Sequence, residues 1–191
     1  MLRKISVTGA IVLAAAGTVT MGTASAAPQA KCWVGSWKVT SASVHADDTR
    51  KKTRFSVRGG AGIKVKLARN GRMAYDFTGS KPLRGTGAYN GIPAKASISL
   101  SRKLTASSKI TGSKKGTISV KVGSIRGNAV LKLTTPVPVT LGLASAAKKG
   151  ASLGVVPIKA TYTCAGGTGR IRQSYKKGSL TTVSDWRLRR A

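Results

Sequence analysis

The chain is 191 residues long and carries 34 lysines and arginines against four acids and one histidine, a formal charge of +30. Four aspartates, no glutamate and a single histidine leave too little to build a carboxylate pair, a metal cluster or a Ser-His-Asp arrangement, which argues against an enzyme. So basic a surface attracts polyanions with salt-sensitive affinity, although high net charge also serves solubility.

At the N-terminus, Arg3 and Lys4 precede an apolar stretch, Ile11 to Ala16, and Ala24-Ser25-Ala26 offers small residues for a signal peptidase. The pattern predicts a signal peptide over residues 1–26, removed after Ala26, and a secreted domain over 27–191. Lys31 before Cys32 is wrong for lipid-anchor processing, so release is expected. Without Arg3 and Lys4 the exported chain keeps a charge of +28. About 165 residues suffice for one core that buries about two thirds of the unfolded surface. No later stretch approaches the roughly 20 apolar residues of a membrane-spanning helix, so no transmembrane segment is expected in the mature chain. Cys32 and Cys164 in an exported chain most simply form one disulfide, which closes a very long loop and contributes on the order of 3 to 5 kcal/mol.

In chain order, CWVGSWKV (residues 32–39) concentrates two of the three tryptophans, and Trp37 shares parity with Val39 on a first strand. Trp33 is expected either to cover the disulfide or to lie on a rim. The polar stretch SVHADDTRKKTR reads as a solvated loop carrying His45, Asp47 and Asp48. RFSVR reads as a strand; Gly59, Gly60 and Gly62 after it lead into another strand, so they are turn or bulge glycines and not a phosphate cradle. In residues 60–79, Ile63, Val65 and Leu67 alternate with Lys64 and Lys66. Asn70-Gly71 follows as a two-residue type I′ turn, and Met73, Tyr75 and Phe77 return.

The same period of two recurs at Ile98 and Leu100, at Ile118, Val120 and Val122, at Leu131 and Leu133, and from Val156 through Ile158 and Ala160 to Tyr162. Ser101 to Gly116 reads as a solvated hairpin. Pro136 and Pro138 make Thr135 to Thr140 an edge, a corner or a crossing loop. Leu143 to Lys149 alone has helical composition. Eight to ten antiparallel strands in one small domain must hide their edges, in a closed barrel or, alternatively, a β-sandwich.

CWVGSWKVTSASV, GGAGIKVKLARNGRMAYDFTGSKPL, ATYTCAGGTG and WRLRRA together resemble small secreted lipocalin-like, calycin-type proteins of actinobacteria. The resemblance implies an antiparallel lipocalin-like β-barrel. In it Gly35 and Trp37 form the first-strand motif that plugs one end, and Arg187, Arg189 or Arg190 packs across the Trp37 ring. Arg190 shares parity with Trp186 and Leu188.

Binding is then the expected activity. Val39, Ile63, Val65, Leu67, Met73, Tyr75, Phe77 and Trp186 would line the interior, either filling it or leaving room for a small apolar ligand. Outside, Lys38, Lys64, Lys66, Lys121, Lys132, Lys159, Arg170 and Arg172 would form a basic face. Lys148, Lys149, Lys176 and Lys177 would crowd the loops. That surface suits a polyanion or an anionic cell-envelope polymer as an alternative partner. Sequence-specific nucleic-acid binding is not expected, for no recognition helix or paired stacking aromatics appear. No cofactor or metal is called for.

Overall fold

Strict alternation governs the walls: Lys64–Leu67 runs exposed, buried, exposed, buried, with the lysines outside and Val65 and Leu67 inside. In the computed structural model residues 32–149 and 154–191 are described, and the expected signal peptide lies outside them. The strands are β1 (Gly35–Asp48), β2 (Thr53–Gly59), β3 (Lys64–Leu67), β4 (Arg72–Asp76), β5 (Leu83–Tyr89), β6 (Ile92–Ser101) and β7 (Lys103–Ile110). They continue as β8 (Lys115–Val120), β9 (Arg126–Gly127), β10 (Val130–Thr135), β11 (Val139–Gly142), β12 (Lys159–Ala165), β13 (Thr168–Lys177) and β14 (Leu180–Arg190). One short helix, α1 (Leu143–Lys148), lies where helical composition is expected.

Eight of these strands close a barrel in the order β1-β14-β13-β12-β8-β7-β4-β3, with β3 returning to pair β1. Closure leaves no edge on this part, and the sandwich alternative falls. The strands beyond the expected eight to ten form a side sheet, β2-β5-β6-β10-β11, which grows from the far half of β1 and ends on β11.

A bulge lets β1 serve both sheets. Gly35 to Lys38 pair with β3, Ala42 to Asp48 pair with β2, and the register against β14 slips between Val39 and Ser41. The extra residue, Thr40, bends the strand and inverts its parity. Trp37 and Val39 point inward before it; Ala42 and Val44 do so after it.

Several local expectations need correction. Asn70 does not take the positive φ that a type I′ turn demands at both central residues; only Gly71 does, at +81°. Ala68 and Arg72 instead close a three-residue loop, with Ala68 N donating to Arg72 O at 2.9 Å. The type I′ geometry occurs at Asn90-Gly91, where φ is +51° and +82° and Tyr89 pairs directly with Ile92. His45, Asp47 and Asp48 are not in a loop but on β1. The last apolar run becomes a strand only at Lys159; Val155 and Val156 are buried ahead of it, and Gly154 packs against Val44 and Thr182. Ser101 to Gly116 is no mere solvated hairpin, because β7 is a barrel wall with Leu104 and Ala106 inside. Within Thr135 to Thr140, residues 136–138 form a corner between β10 and the edge strand β11, to which Val139 and Thr140 belong.

At the plugged end, Trp33 and Trp37 stack with centroids 4.9 Å apart, and Trp37 Nε1 donates to Trp33 O at 2.8 Å. The Cys32–Cys164 disulfide ties this segment to the end of β12, across 132 residues. Gly169 on β13 makes room for both rings: a β-carbon there would lie 2.8 Å from Trp33 and 3.2 Å from Trp37. Its φ is ordinary, so the requirement is space alone. Gly169→Val is therefore expected to cost about 2 to 4 kcal/mol in denaturant unfolding, while Gly123→Ala, which meets no atom within 4 Å, stays within about 0.5 kcal/mol.

Candidate functional site

Three regions follow from this architecture: the plugged end, the outer wall and the space under the side sheet. At the plugged end Trp37 pairs with Arg190 across β1 and β14, and the Arg190 guanidinium lies 4.6 Å from the Trp37 ring. Its two Nη atoms donate to Val34 O at 2.6 Å and Cys32 O at 2.7 Å. Arg187 and Arg189 have the opposite parity and point to solvent. A β-carbon on Gly35, whose φ is +130°, would overlap Arg190 Nη1. Trp33 is fully buried, neither on a rim nor open to solvent.

The eight side chains expected to line a cavity do point inward, but they fill the barrel. Val39, Ile63, Val65, Leu67, Met73, Tyr75, Phe77 and Trp186 are each at most 2% exposed. Tyr75 stacks on Phe77 and meets Trp186 edge-on, and its hydroxyl reaches only Met73 Sδ, at 3.8 Å. Burial pushes the Tyr75 phenol well above its ordinary pKa. Of the eight, Leu67 also borders a cavity of about 260 Å³ beneath the β3–β4 loop.

A cavity with an almost wholly apolar lining lies elsewhere, between the far end of the barrel and the side sheet, with a volume of about 280 Å³. Val44 and Ala46 of β1 and Leu180 and Thr182 of β14 form its barrel wall. Phe55, Val57, Ala96, Ile98, Leu131 and Leu133 face them, and Pro136, Val139 and Leu141 close the edge. Thr182 supplies the one side-chain hydroxyl, and no charged residue lines the cavity. Pattern reasoning missed this site because it required the pairing of β1 with β2. The one available signal was the inward parity of Leu131 and Leu133 on a strand beyond the barrel.

Lys38, Lys64, Lys66, Lys121, Lys132, Lys159, Arg170 and Arg172 are all exposed. Lys132 stands apart on the side sheet, whereas Lys64 of β3 lies opposite Lys38 of β1. Lys38 faces Arg189, and Arg187 faces Arg170, across the β1-β14-β13 wall. Here Arg170, Arg187 and Arg189 flank an open groove of about 490 Å³ floored by Thr40, Thr163 and Thr168. Arg170 is held against Asp185, with Nε 3.0 Å from Oδ1, and Arg172 Nε lies 3.3 Å from Oδ2. Lys176 and Lys177 end β13, and Lys148 ends α1, so these are not loop residues.

Each acid is already engaged. Asp47 pairs with Arg54 at 2.9 Å, and Asp48 accepts from Ser179 Oγ at 2.7 Å. Asp76 accepts from Thr78 N at 2.9 Å and lies 3.8 Å from Lys103 Nζ. Among the described residues no group of three His, Cys, Asp or Glu side chains could hold a metal ion. Compared with protein-family models, the curated proteins and the solved structures, the chain matches none.

Two outcomes are expected. Arg190→Ala should lower unfolding stability by about 1 to 3 kcal/mol, through the lost ring contact and two unsatisfied carbonyls, whereas Arg187→Ala and Arg189→Ala change it by under about 0.5 kcal/mol. The second concerns pH. Ser179 above all holds the Asp48 carboxyl below the usual range, and the Thr78 backbone N–H does the same for Asp76. A folded pKa below the unfolded value of about 3.9 stabilises above that value. Unfolding midpoints should therefore be flat from pH 7 to about 5 and fall only as pH drops through the lower folded values. A decline already complete by pH 5 would contradict this.

Proposed function

We propose that this chain is an exported, non-enzymatic binding protein that holds a small apolar ligand in the cavity between the barrel and its side sheet. The carrying observation is the composition of that cavity: twelve hydrocarbon side chains, three of them alanine or proline, and one hydroxyl. At about 280 Å³ it sits at the lower edge of the roughly 300–1,000 Å³ of small-molecule sites, which limits the ligand to a short acyl chain or one or two rings. The hydroxyl of Thr182 offers one hydrogen bond by which such a ligand could be oriented. A binding role without catalysis is supported by the engagement of all four acids, which stand on β1, β4 and β14. The disulfide supports export, since such links persist in oxidising compartments. The closed barrel with Arg190 over Trp37 supports kinship with the lipocalin-like proteins that the sequence resembles.

A second reading is favoured by the groove between Arg170, Arg187 and Arg189, where cross-strand register sets guanidinium groups beside threonine hydroxyls. It suits phosphate or sulfate groups of an anionic envelope polymer.

Titration of the chain from Ala27 with a neutral naphthylamine probe separates the two. The first reading expects saturable, salt-insensitive binding that weakens at least about tenfold in Ala96→Phe, whose ring would occupy the cavity. Absence of probe binding, together with salt-sensitive polymer binding lost on replacing Arg170, Arg187 and Arg189 by Ser, would put the polymer reading in its place.

A further inference from the structure

Three hairpin tips meet at the end of the molecule opposite the tryptophan plug. The β1–β2 tip is bonded to the β13–β14 tip: Thr49 N donates to Ser179 O at 3.4 Å, and Ser179 Oγ donates to Asp48 Oδ1 at 2.7 Å. The β1–β2 tip is bonded also to the β5–β6 tip, where Gly91 N donates to Lys52 O at 2.8 Å and Asn90 N to Thr53 Oγ1 at 3.3 Å. These contacts bring Arg50, Lys51, Lys52, Lys176 and Lys177, all exposed, to one end of the molecule, here called the platform. Asp47 is balanced by Arg54, and Asp48, bound by Ser179 and the Lys51 N–H, offsets one of the five charges, so the platform stays strongly positive.

The same platform displays the wrong chemistry for water. Ile92 is 69% exposed and Tyr89 39%. They are directly paired across the Asn90-Gly91 turn, so their side chains leave the same face of the hairpin. The type I′ turn fixes that tip, which removes much of the ordering cost of inserting it. The other two exposed large apolar residues among those described are Val137, in the corner after β10, and Val139, the first residue of β11. Because Thr135 pairs with Ser97, that corner points toward the β5–β6 tip.

We propose that this end docks on an anionic lipid bilayer, with Tyr89 and Ile92 entering the interface and the five basic side chains meeting the head groups. A soluble polyanion would satisfy the charges but leave Tyr89 and Ile92 without a partner; a lipid surface satisfies both. Ala46, Phe55 and Leu180, which line the apolar cavity, stand on the strand ends that enter the same tips. The docking does not rest on that cavity being occupied, but it would set the cavity close to a membrane.

The test is co-sedimentation of the chain from Ala27 with vesicles of phosphatidylcholine alone and with about one third phosphatidylglycerol, at low and moderate salt. Binding only to the anionic vesicles is expected. Tyr89→Ser with Ile92→Ser should lower the partition coefficient at least about fivefold without changing affinity for soluble polyphosphate, and Lys51→Gln with Lys52→Gln should lower it about tenfold. Ile92→Trp should give an emission blue shift on anionic vesicles. No binding to anionic vesicles, or binding indifferent to Tyr89 and Ile92, would overturn the proposal. So would an equal loss on replacing Arg187 and Arg189, which would move the contact to the barrel wall.

Discussion

Everything distinctive in this molecule depends on β1 pairing with two different strands along one edge. A single residue in excess at Thr40 makes that possible, because a bulge both bends a strand and inverts its inward face. Before the bulge β1 closes the barrel on β3 and delivers Trp37 to the plug; after it β1 founds the side sheet and delivers Val44 to the cavity wall. Without the change in parity, either the plug or the cavity would receive the polar face of the strand.

The second constraint is charge. A chain of +30 repels itself when compact, so its fold has to keep nearly all of that charge in water while binding the ends together. Strict alternation does the first. The second falls to the plugged end, where the disulfide, the stacked Trp33 and Trp37, and Arg190 join both termini of the domain within one cluster. Arg190 is drawn onto that cluster, and it is accepted there because two backbone carbonyls and a ring face receive it.

Legibility followed the range of the interactions. The barrel wall could be read from period-two alternation, since Ile63, Val65 and Leu67 need only a face to hide, and that pattern is local. The plug could be placed through a resemblance joining Gly35 and Trp37 to the C-terminal arginines, but parity alone left three arginines open until β1–β14 register selected Arg190. The cavity could not be read. Its walls come from six strands, and the packed state of the interior depends on the sizes of Tyr75, Phe77 and Trp186 meeting across the barrel. The type I′ turn was expected at Asn70-Gly71 and occurs at Asn90-Gly91, because the same dipeptide closes loops of two or three residues and the flanking register decides which.

The central claim is that the apolar site lies under the side sheet and that the barrel interior is solid. Amide chemical-shift mapping on the isotopically labelled protein during titration with a small neutral apolar compound tests it most directly. The account predicts perturbations at Val44, Ala96, Ile98, Leu131 and Thr182, with Val65, Tyr75 and Trp37 unmoved. Shifts centred on Val65 and Tyr75, with the side sheet silent, would contradict it.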